Sequence, residues 1–555
     1  MQLAGLPARL EATNPAYRSE EDKALKTQIS QANACMKLSL ITTTLLFFIL
    51  GPAVSAYQGD APFEKAREEN KKDWDKEDRS IDRKLAKLKK KHGKSPNIIY
   101  ILGDDVGWGE LGSYLGGKLR GTPTPNLDNL AKQGMQFLSH YSEPSCTPTR
   151  LALLTGRHPV RTGVDIVLWP GQTQGLAPGE ITVAEMLSDA GYHTAMFGKW
   201  HVGDLEQHAP ENQGFDYAYY GLYNGAIYSW VNQKNFYEQQ TLDGVGHFYD
   251  FPGTFEDYKN KYGIEILGAL EGIKGKGRKE IKPMGPESMV EMEADSIMKM
   301  KKYIKEKAKS DKPFFLYWAS YAQQMASSPR EYRFNEGLDH RNNQSAQLAQ
   351  HDDYIKQLLD TVKEAGIEEN TLVVWVSDNG PMYAFWPNAG YSWLRGAKGE
   401  VYEGGVRTPG FAVWPGMIEP GQQVMDMISV TDLFTTAARI AGVENKLPSD
   451  RVIDGIDQLP LLFNGEGNGR RTYQFYYSGN DLKAIRMEDH KLVIVPGSRG
   501  GLPNYEMYNL IRDPGEKYGA MYNHLWAIVP FQRMVGSHMK LIRQFPHRKI
   551  KSGLF

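Results

Sequence analysis

Two apolar runs, each breaking into acidic residues at its carboxyl end, do most to limit what this chain can fold into. Asn97-Ile98-Ile99-Tyr100-Ile101-Leu102-Gly103 leads straight into Asp104-Asp105, and residues 371–376 (TLVVWV) lead into Ser377-Asp378-Asn379-Gly380. Neither run alternates apolar with polar, so each reads as a strand covered on both faces, the condition of a parallel sheet between helices. Helical stretches fall where that architecture needs them. Residues 125–132 have Thr124 at the N-cap position, Pro125 at the first helical position and Gly134 past the end. Residues 181–190 run to Gly191 and then an apolar stretch at 192–197, and residues 351–365 stop at Gly366 before the second run. This alternation predicts an α/β fold with a large mixed, mostly parallel sheet sandwiched by helices. Ligands collect beyond the carboxyl ends of such strands, where Asp104, Asp105, Asp378 and Asn379 all fall.

At 555 residues the chain exceeds a single ordinary core, and two packed units are expected. After about residue 460 the pattern changes to short strands at 471–477, 484–487, 491–495 and 505–509, then a helix at 526–543. That predicts a catalytic-sized α/β domain over 96–460 and a C-terminal α+β subdomain over 461–555, with a smaller antiparallel sheet and a packed helix. Residues 36–56 (MKLSLITTTLLFFILGPAVSA) combine a lysine, an apolar run and a small-residue end, the build of a cleaved secretory signal. Their apolar run is short of the roughly 20 residues a spanning helix needs, so no stable membrane anchor is expected. A secreted or periplasmic protein follows, with residues 1–35 a leader or a stretch upstream of a true start at Met36. Residues 57–95 are dense in Lys, Arg, Asp and Glu and read as a charged linker, either a solvated helix or a disordered stretch. A formal net charge of -1 gives no electrostatic argument for a nucleic-acid partner.

The chemistry-bearing residues cluster at strand ends. Asp104, Asp105, Asp378 and the amide of Asn379 are hard oxygen donors that suit calcium or magnesium rather than zinc. Gly198-Lys199-Trp200-His201-Val202-Gly203 follows the stretch ending at Phe197, and Lys199 and His201 share a side if that segment is extended. Once the signal is removed, Cys146 is the chain's single cysteine, either a small buried hydrophobe or a reactive group. It stands in Pro144-Ser145-Cys146-Thr147-Pro148-Thr149-Arg150, with Thr155-Gly156-Arg157 shortly after.

That Cys-x-Pro-x-Arg run, with its distal Thr-Gly-Arg, resembles the signature of the type I, formylglycine-dependent sulfatases, arylsulfatase-like members of the alkaline phosphatase superfamily. Residues 97–110 are similar to the family pattern N-I-x-x-x-x-x-D-D-x-G-x-G-D/E, and residues 377–380 to S-D-N-G. Residues 198–203 resemble G-K-W-H-L-G, residues 395–399 R-G-x-K-G, and residues 403–409 E-G-G-x-R-x-P. The resemblance spans roughly 96–515 with its motifs in the family's order. It implies that Cys146 is oxidised to formylglycine by a formylglycine-generating enzyme, whose hydrated aldehyde attacks sulfur and then expels sulfate. It implies that Asp104, Asp105, Asp378 and Asn379, with the modified Cys146, hold calcium, magnesium being the alternative. Arg150 would steady the modified side chain, Lys199 would contact sulfate, His201 would act as the base, and Lys398 would stabilise the leaving group. Arg407 is expected to pair with Glu403 or a carbonyl rather than with substrate.

One departure stands out. The family carries a histidine in a pattern resembling P-H-x-P after the apolar strand at 313–318, and this chain has Gln323 and Gln324 there. They are expected to bind sulfate without donating a proton near neutral pH, which leaves Lys398, His208 or water for the last proton. Trp169, Tyr383, Phe385, Trp386, Tyr391 and Trp393 gather near the expected mouth, and favour a carbohydrate sulfate over a simple aryl sulfate. The expected activity is hydrolysis of sulfate esters of a small molecule or glycan. Phosphate or phosphonate monoester hydrolysis and non-catalytic binding of a sulfated glycan are the alternatives.

Overall fold

The computed structural model describes residues 57–225, 227, 259–261, 263–283, 286–324, 332, 343–383, 389–497, 503–519 and 521–548. The expected leader and signal peptide (1–56), and Phe385 and Trp386, lie outside the described residues. In chain order the strands are β1 (Asn97–Gly103), β2 (Met135–Phe137), β3 (His140–Tyr141), β4 (His193–Lys199), β5 (Tyr217–Gly221), β6 (Ala269–Ile273) and β7 (Gly277–Lys282). There follow β8 (Phe314–Ala319), β9 (Thr371–Ser377), β10 (Arg407–Thr408), β11 (Gly410–Val413), β12 (Gln422–Val424) and β13 (Ile428–Ser429). The last four are β14 (Tyr473–Ser478), β15 (Asp481–Met487), β16 (His490–Val495) and β17 (Asn504–Asn509).

Ten strands form one sheet in the order β12-β2-β11-β9-β1-β8-β4-β5-β6-β7. Its centre, β9-β1-β8-β4-β5, is parallel throughout, and antiparallel pairs appear only toward the flanks. Every residue of β1, β8 and β9 is buried, which is why their sequences run apolar without alternation. The register sets Asn97 opposite Thr371 and Gly103 opposite Ser377, so the two acidic strand ends leave the sheet side by side. The α/β expectation therefore holds, including the smaller antiparallel sheet β14-β15-β16-β17. The helix Ile528–Gln544 follows it, entered through a 3-10 turn over Met521–Ala527.

Of the two forms expected for the charged stretch 57–95, the structure has the helix, packed against the core rather than solvated all round. The stretch folds into helices Ala61–Glu69 and Lys71–His92, with Asp60 capping the first through Ala61 N at 2.7 Å. Phe63, Ile81 and Leu88 are buried, the last two being two helical turns apart on one face. Part of the charge is used in packing: Arg470 meets Glu77 at 2.7 Å and Asp78 at 2.8 Å, and Arg439 meets Asp82 at 2.8 Å. Among the described residues no helix is long and apolar enough to cross a membrane.

The small sheet meets the rest of the fold through an apolar cluster of Tyr141, Val401 and Val406 with Tyr476, Ala484, Val493 and Tyr508. Beside it lies a buried ionic group. Lys491 Nζ bonds Glu403 at 2.9 Å and lies 3.0 Å from Glu516, all with fully buried Lys491 and Glu403 side chains. Arg407 pairs with Glu403 at 3.6 Å and donates to the Leu138 carbonyl at 2.7 Å, as expected of a structural arginine.

Candidate active site

The loops leaving β1, β4, β8 and β9 converge on the first residue of a helix. Cys146 opens the helix Cys146–Thr155 after Ser145 and is fully buried. Its Sγ lies 3.5 Å from Asp104 Oδ1 and 3.8 Å from Asp105 Oδ1, and accepts from Lys199 Nζ at 3.3 Å and Lys398 Nζ at 2.9 Å. Main-chain bonds fix the loops that carry these groups. Asp104 N donates to Ala322 O, Gln323 N to Asp104 O, and Asp378 N to Gly103 O. Glycine is needed at 198, where φ is +95° and a Cβ would stand 2.0 Å from the Ala319 carbonyl oxygen. That close approach lets β4 deliver Lys199 beside β8.

Arg150 is one turn along the same helix. One guanidinium nitrogen donates to the Lys199 carbonyl at 2.8 Å, while another reaches Asp378 Oδ2 at 3.0 Å and Asp104 Oδ1 at 3.5 Å. Thr149 Oγ1 donates to the Asp378 carbonyl at 2.5 Å, and Thr147 Oγ1 to the His201 carbonyl at 2.8 Å. The helix thus clamps three of the incoming loops through alternate side chains, a role for Thr147 and Thr149 that the motif reading passed over. Tyr317 sets a buried hydroxyl within the otherwise apolar β8, and the Arg150 charge acts on it.

Lys199 Nζ donates to both oxygens of Asp104, at 2.8 and 2.9 Å, and to Gln324 Oε1 at 2.9 Å. Gln324 Nε2 donates to Asp105 Oδ2 at 2.8 Å, so this amide bridges a cation and an anion of the cluster. Lys398 Nζ donates to Asp105 Oδ1 at 2.5 Å, as does Asn379 Nδ2 at 2.6 Å. Gln323 is different. Its main-chain N–H donates to the Asp104 carbonyl, and its side-chain Oε1 is buried with no hydrogen-bond partner.

His201 has φ of +58° and is buried. Its Nε2 meets the Leu168 carbonyl at 3.1 Å, and Nδ1 has no partner. A carbonyl can only accept, so Nε2 carries the proton and Nδ1 presents a lone pair. Burial, reinforced by Lys199 and Arg150, keeps the ring neutral by holding its pKa well below the ordinary histidine value. His208 is placed otherwise. Its ring packs against Gly175 and Gly203, and its contacts do not include the Cys146 cluster.

Burial raises the Asp104 carboxyl to about 7 against the pull of Lys199, whereas for Asp378 the same burial is outweighed by Arg150, Lys199 and Lys398, which hold it at about 2. Burial also pushes the Cys146 thiol well up, with the Asp378 charge adding to it. A free thiol in this setting is a poor nucleophile. The donor set fits a hard divalent cation. Ligand atoms of Asp104, Asp105, Cys146 and Asp378 lie within 4.8 Å of one another, and Asn379 Oδ1 is buried with no hydrogen-bond partner. Three carboxylates and an amide around one point match oxygen coordination of calcium or magnesium.

The expected aromatic group divides. Trp393 and Tyr383 line a cavity of about 610 Å³ with Leu394, Arg395, Gly396, Gly515, Glu516 and Lys517. Tyr391 instead packs beside Gly109 under the guanidinium of Arg120, and Trp169 closes its own turn through Gln172.

Residues 96–443 match the family model described as Sulfatase. The N-acetylgalactosamine-6-sulfatase of Canis lupus familiaris is 34% identical over 418 residues, covering 71% of each chain. Human arylsulfatase A is 34% identical over 455 residues, covering 77% of this chain and 84% of its own. Among solved structures, the PsFucS1 sulfatase from Pseudoalteromonas sp. superposes with a TM-score of 0.77 at 32% identity, covering 85% of this chain and 95% of that one. The helix opened by Cys146, the acidic strand ends and these likenesses agree, and the chain belongs to the sulfatase family of sulfuric ester hydrolases.

Proposed function

We propose that this sulfatase removes sulfate from a carbohydrate ester, through a formylglycine made from Cys146 and a calcium held by Asp104, Asp105, Asp378, Asn379 and the modified residue 146. The observation that carries the reading is the convergence of the Cys146 side chain, three carboxylates and two lysine ammonium groups at one helix N-terminus. The carbohydrate preference is supported by the relatives named for N-acetylgalactosamine 6-sulfate chemistry and by exposed aromatics beside the site. When bound and formed, these groups would supply a geminal-diol nucleophile and a Lewis acid for sulfate oxygens. Maturation requires a formylglycine-generating enzyme, and residues 36–56 support export to the periplasm or medium.

The chain's own residues then have distinct tasks. Arg150 orients Asp378 and the carbonyl end of Lys199 and keeps positive charge behind the nucleophile. Lys199 and Gln324 form one wall, offering N–H donors to sulfate oxygens. His201 accepts a proton at Nδ1, the tautomer fixed by the Leu168 carbonyl. Lys398, whose side chain is 12% exposed, faces the open side of the cluster and donates to the departing ester oxygen. Gln324 can orient that oxygen but cannot protonate it.

Two tests follow. Lys398→Ala is expected to lower kcat on a sulfate ester by about 10²- to 10³-fold, the usual effect of removing one preorganised charge donor, with the loss steeper for poorer leaving groups. Chelation of divalent metal is expected to lower turnover by about 10²-fold or more, with recovery on adding calcium. Activity unchanged after metal content has been shown to fall to zero would overturn the metal assignment.

A further inference from the structure

The cavity lined by Tyr383, Trp393 and Lys517 is joined to the cluster around Cys146 by short stretches of chain. Lys398 N donates to the Pro381 carbonyl at 3.0 Å, and Gln324 Nε2 lies 3.5 Å from Met382 Sδ, so residues 381 and 382 touch the cluster just before Tyr383 enters the cavity wall. Further along the loop, Arg395 and Gly396 line the cavity three and two residues before Lys398. A substrate whose sulfate lies at Lys398 therefore has this cavity as its neighbour.

The two aromatics there are presented rather than packed away. Trp393 is 39% exposed and Tyr383 63% exposed. Trp393 is nonetheless held from behind, its ring meeting buried Trp108 edge-on at 5.4 Å and 78°. Trp108 is braced in turn by Tyr114 at 5.0 Å and by the Arg407 guanidinium at 5.4 Å. A half-exposed indole fixed by such a stack loses little freedom when a flat apolar face settles on it, which distinguishes a binding platform from a frayed surface aromatic. Arg395 serves as scaffold: its guanidinium stacks on Tyr402 at 3.7 Å and donates to Tyr508 at 2.7 Å and to the Glu516 carbonyl at 3.0 Å. Lys517 is left as the exposed cation of the wall, contributed from beyond β17.

From this arrangement we infer that the cavity seats the sugar residue next to the one that is desulfated, stacking it on Trp393 and Tyr383 while Lys517 meets an anionic group on it. The enzyme then works on acidic oligosaccharides in preference to isolated sulfated units. This rests on the carbohydrate sulfatase reading above.

The test compares 4-nitrophenyl sulfate with hexasaccharides of chondroitin sulfate, carrageenan and sulfated fucan, using the full, matured chain. The wild type is expected to turn over at least one hexasaccharide with kcat/KM at least tenfold above that for the nitrophenyl ester. On that hexasaccharide Trp393→Ala is expected to lower kcat/KM at least tenfold, mainly through KM, and Lys517→Gln about threefold to tenfold. Both variants should stay within twofold of wild type on 4-nitrophenyl sulfate, with unchanged thermal midpoints. Equal losses on both substrates, or no loss on either, would overturn the cavity's assignment, as would wild-type turnover of the nitrophenyl ester alone. Absence of turnover on every sulfate ester by metal-loaded, modified protein would instead overturn the carbohydrate sulfatase reading on which it rests.

Discussion

Replacing Cys146 with alanine is expected to lower kcat on a sulfate ester by about 10⁴-fold or more while leaving the fold in place. The side chain is small and fully buried at a helix start, so its truncation removes one sulfur atom from a site otherwise held by main-chain and ionic contacts. Arg150 keeps its bonds to Asp378 and to the Lys199 carbonyl, and Thr149 and Thr147 keep theirs to Asp378 and His201. What disappears is the side chain that, on the proposed reading, attacks sulfur between Lys199 and Lys398. Circular dichroism and calcium binding measured beside activity separate this outcome from unfolding, since Asp104, Asp105, Asp378 and Asn379 remain. Residual activity above a few per cent of wild type would mean that another group or a water attacks sulfur.

A second large effect is expected far from the chemistry. Lys491→Met should destabilise the chain by about 3–5 kcal/mol, because it strips the cation from two buried carboxylates. Glu403 is buried, which alone would raise its pKa, yet Lys491, Arg486 and Arg407 hold it down at about 2. Burial raises Glu516 to about 7 against the pull of the same lysine. The signs differ accordingly. Glu403, with a folded pKa below its unfolded one, contributes stability above about pH 4.5 that is lost as pH falls toward 2. Glu516, with a folded pKa above its unfolded one, contributes stability below about pH 4.5 that is lost as pH rises through 7. Without Lys491 both carboxylates gain by protonation, so the penalty should be largest near pH 7.5 and shrink toward pH 5. Urea midpoints of wild type and variant at the two pH values read this directly. A penalty that is small, or independent of pH, would show that the small sheet is held by its apolar cluster alone.

The parts of this fold that the sequence made legible are those where one force dominates. The strands β1, β8 and β9 are buried on both faces, and only continuous apolar runs satisfy that, so their positions and the acidic ends they project could be read residue by residue. The helix Val183–Asp189 lies within the stretch expected at 181–190 and begins two residues later, where the Thr182–Glu185 capping box sets its start. The helices over Ala61–Glu69 and Lys71–His92 were obscured because their core contacts rest on a few apolar side chains amid dense charge, much of which serves to pair with Arg439 and Arg470. The hairpin of β6 and β7 gave little signal, since β7 is an edge strand with mostly polar residues.

The same contrast holds within the site. Cys146, Arg150, Lys199, Lys398, Asp104, Asp105, Asp378 and Asn379 stand in the motifs that resemble the family's, and the structure brings them together. Spacing could not say which of two adjacent glutamines faces the cluster. In the structure Gln324 bonds Lys199 and Asp105, whereas Gln323 Oε1 is buried without a partner. Nor could sequence place the His208 ring, which the fold packs against Gly175 and Gly203.

The most direct test of the central claim is mass spectrometry of the peptide containing Cys146, from protein expressed together with a formylglycine-generating enzyme. The account predicts that the CH₂–SH side chain is replaced by an aldehyde that reacts with a hydrazide, and that turnover scales with the fraction converted. An unmodified thiol in protein that hydrolyses sulfate esters at full rate would contradict it.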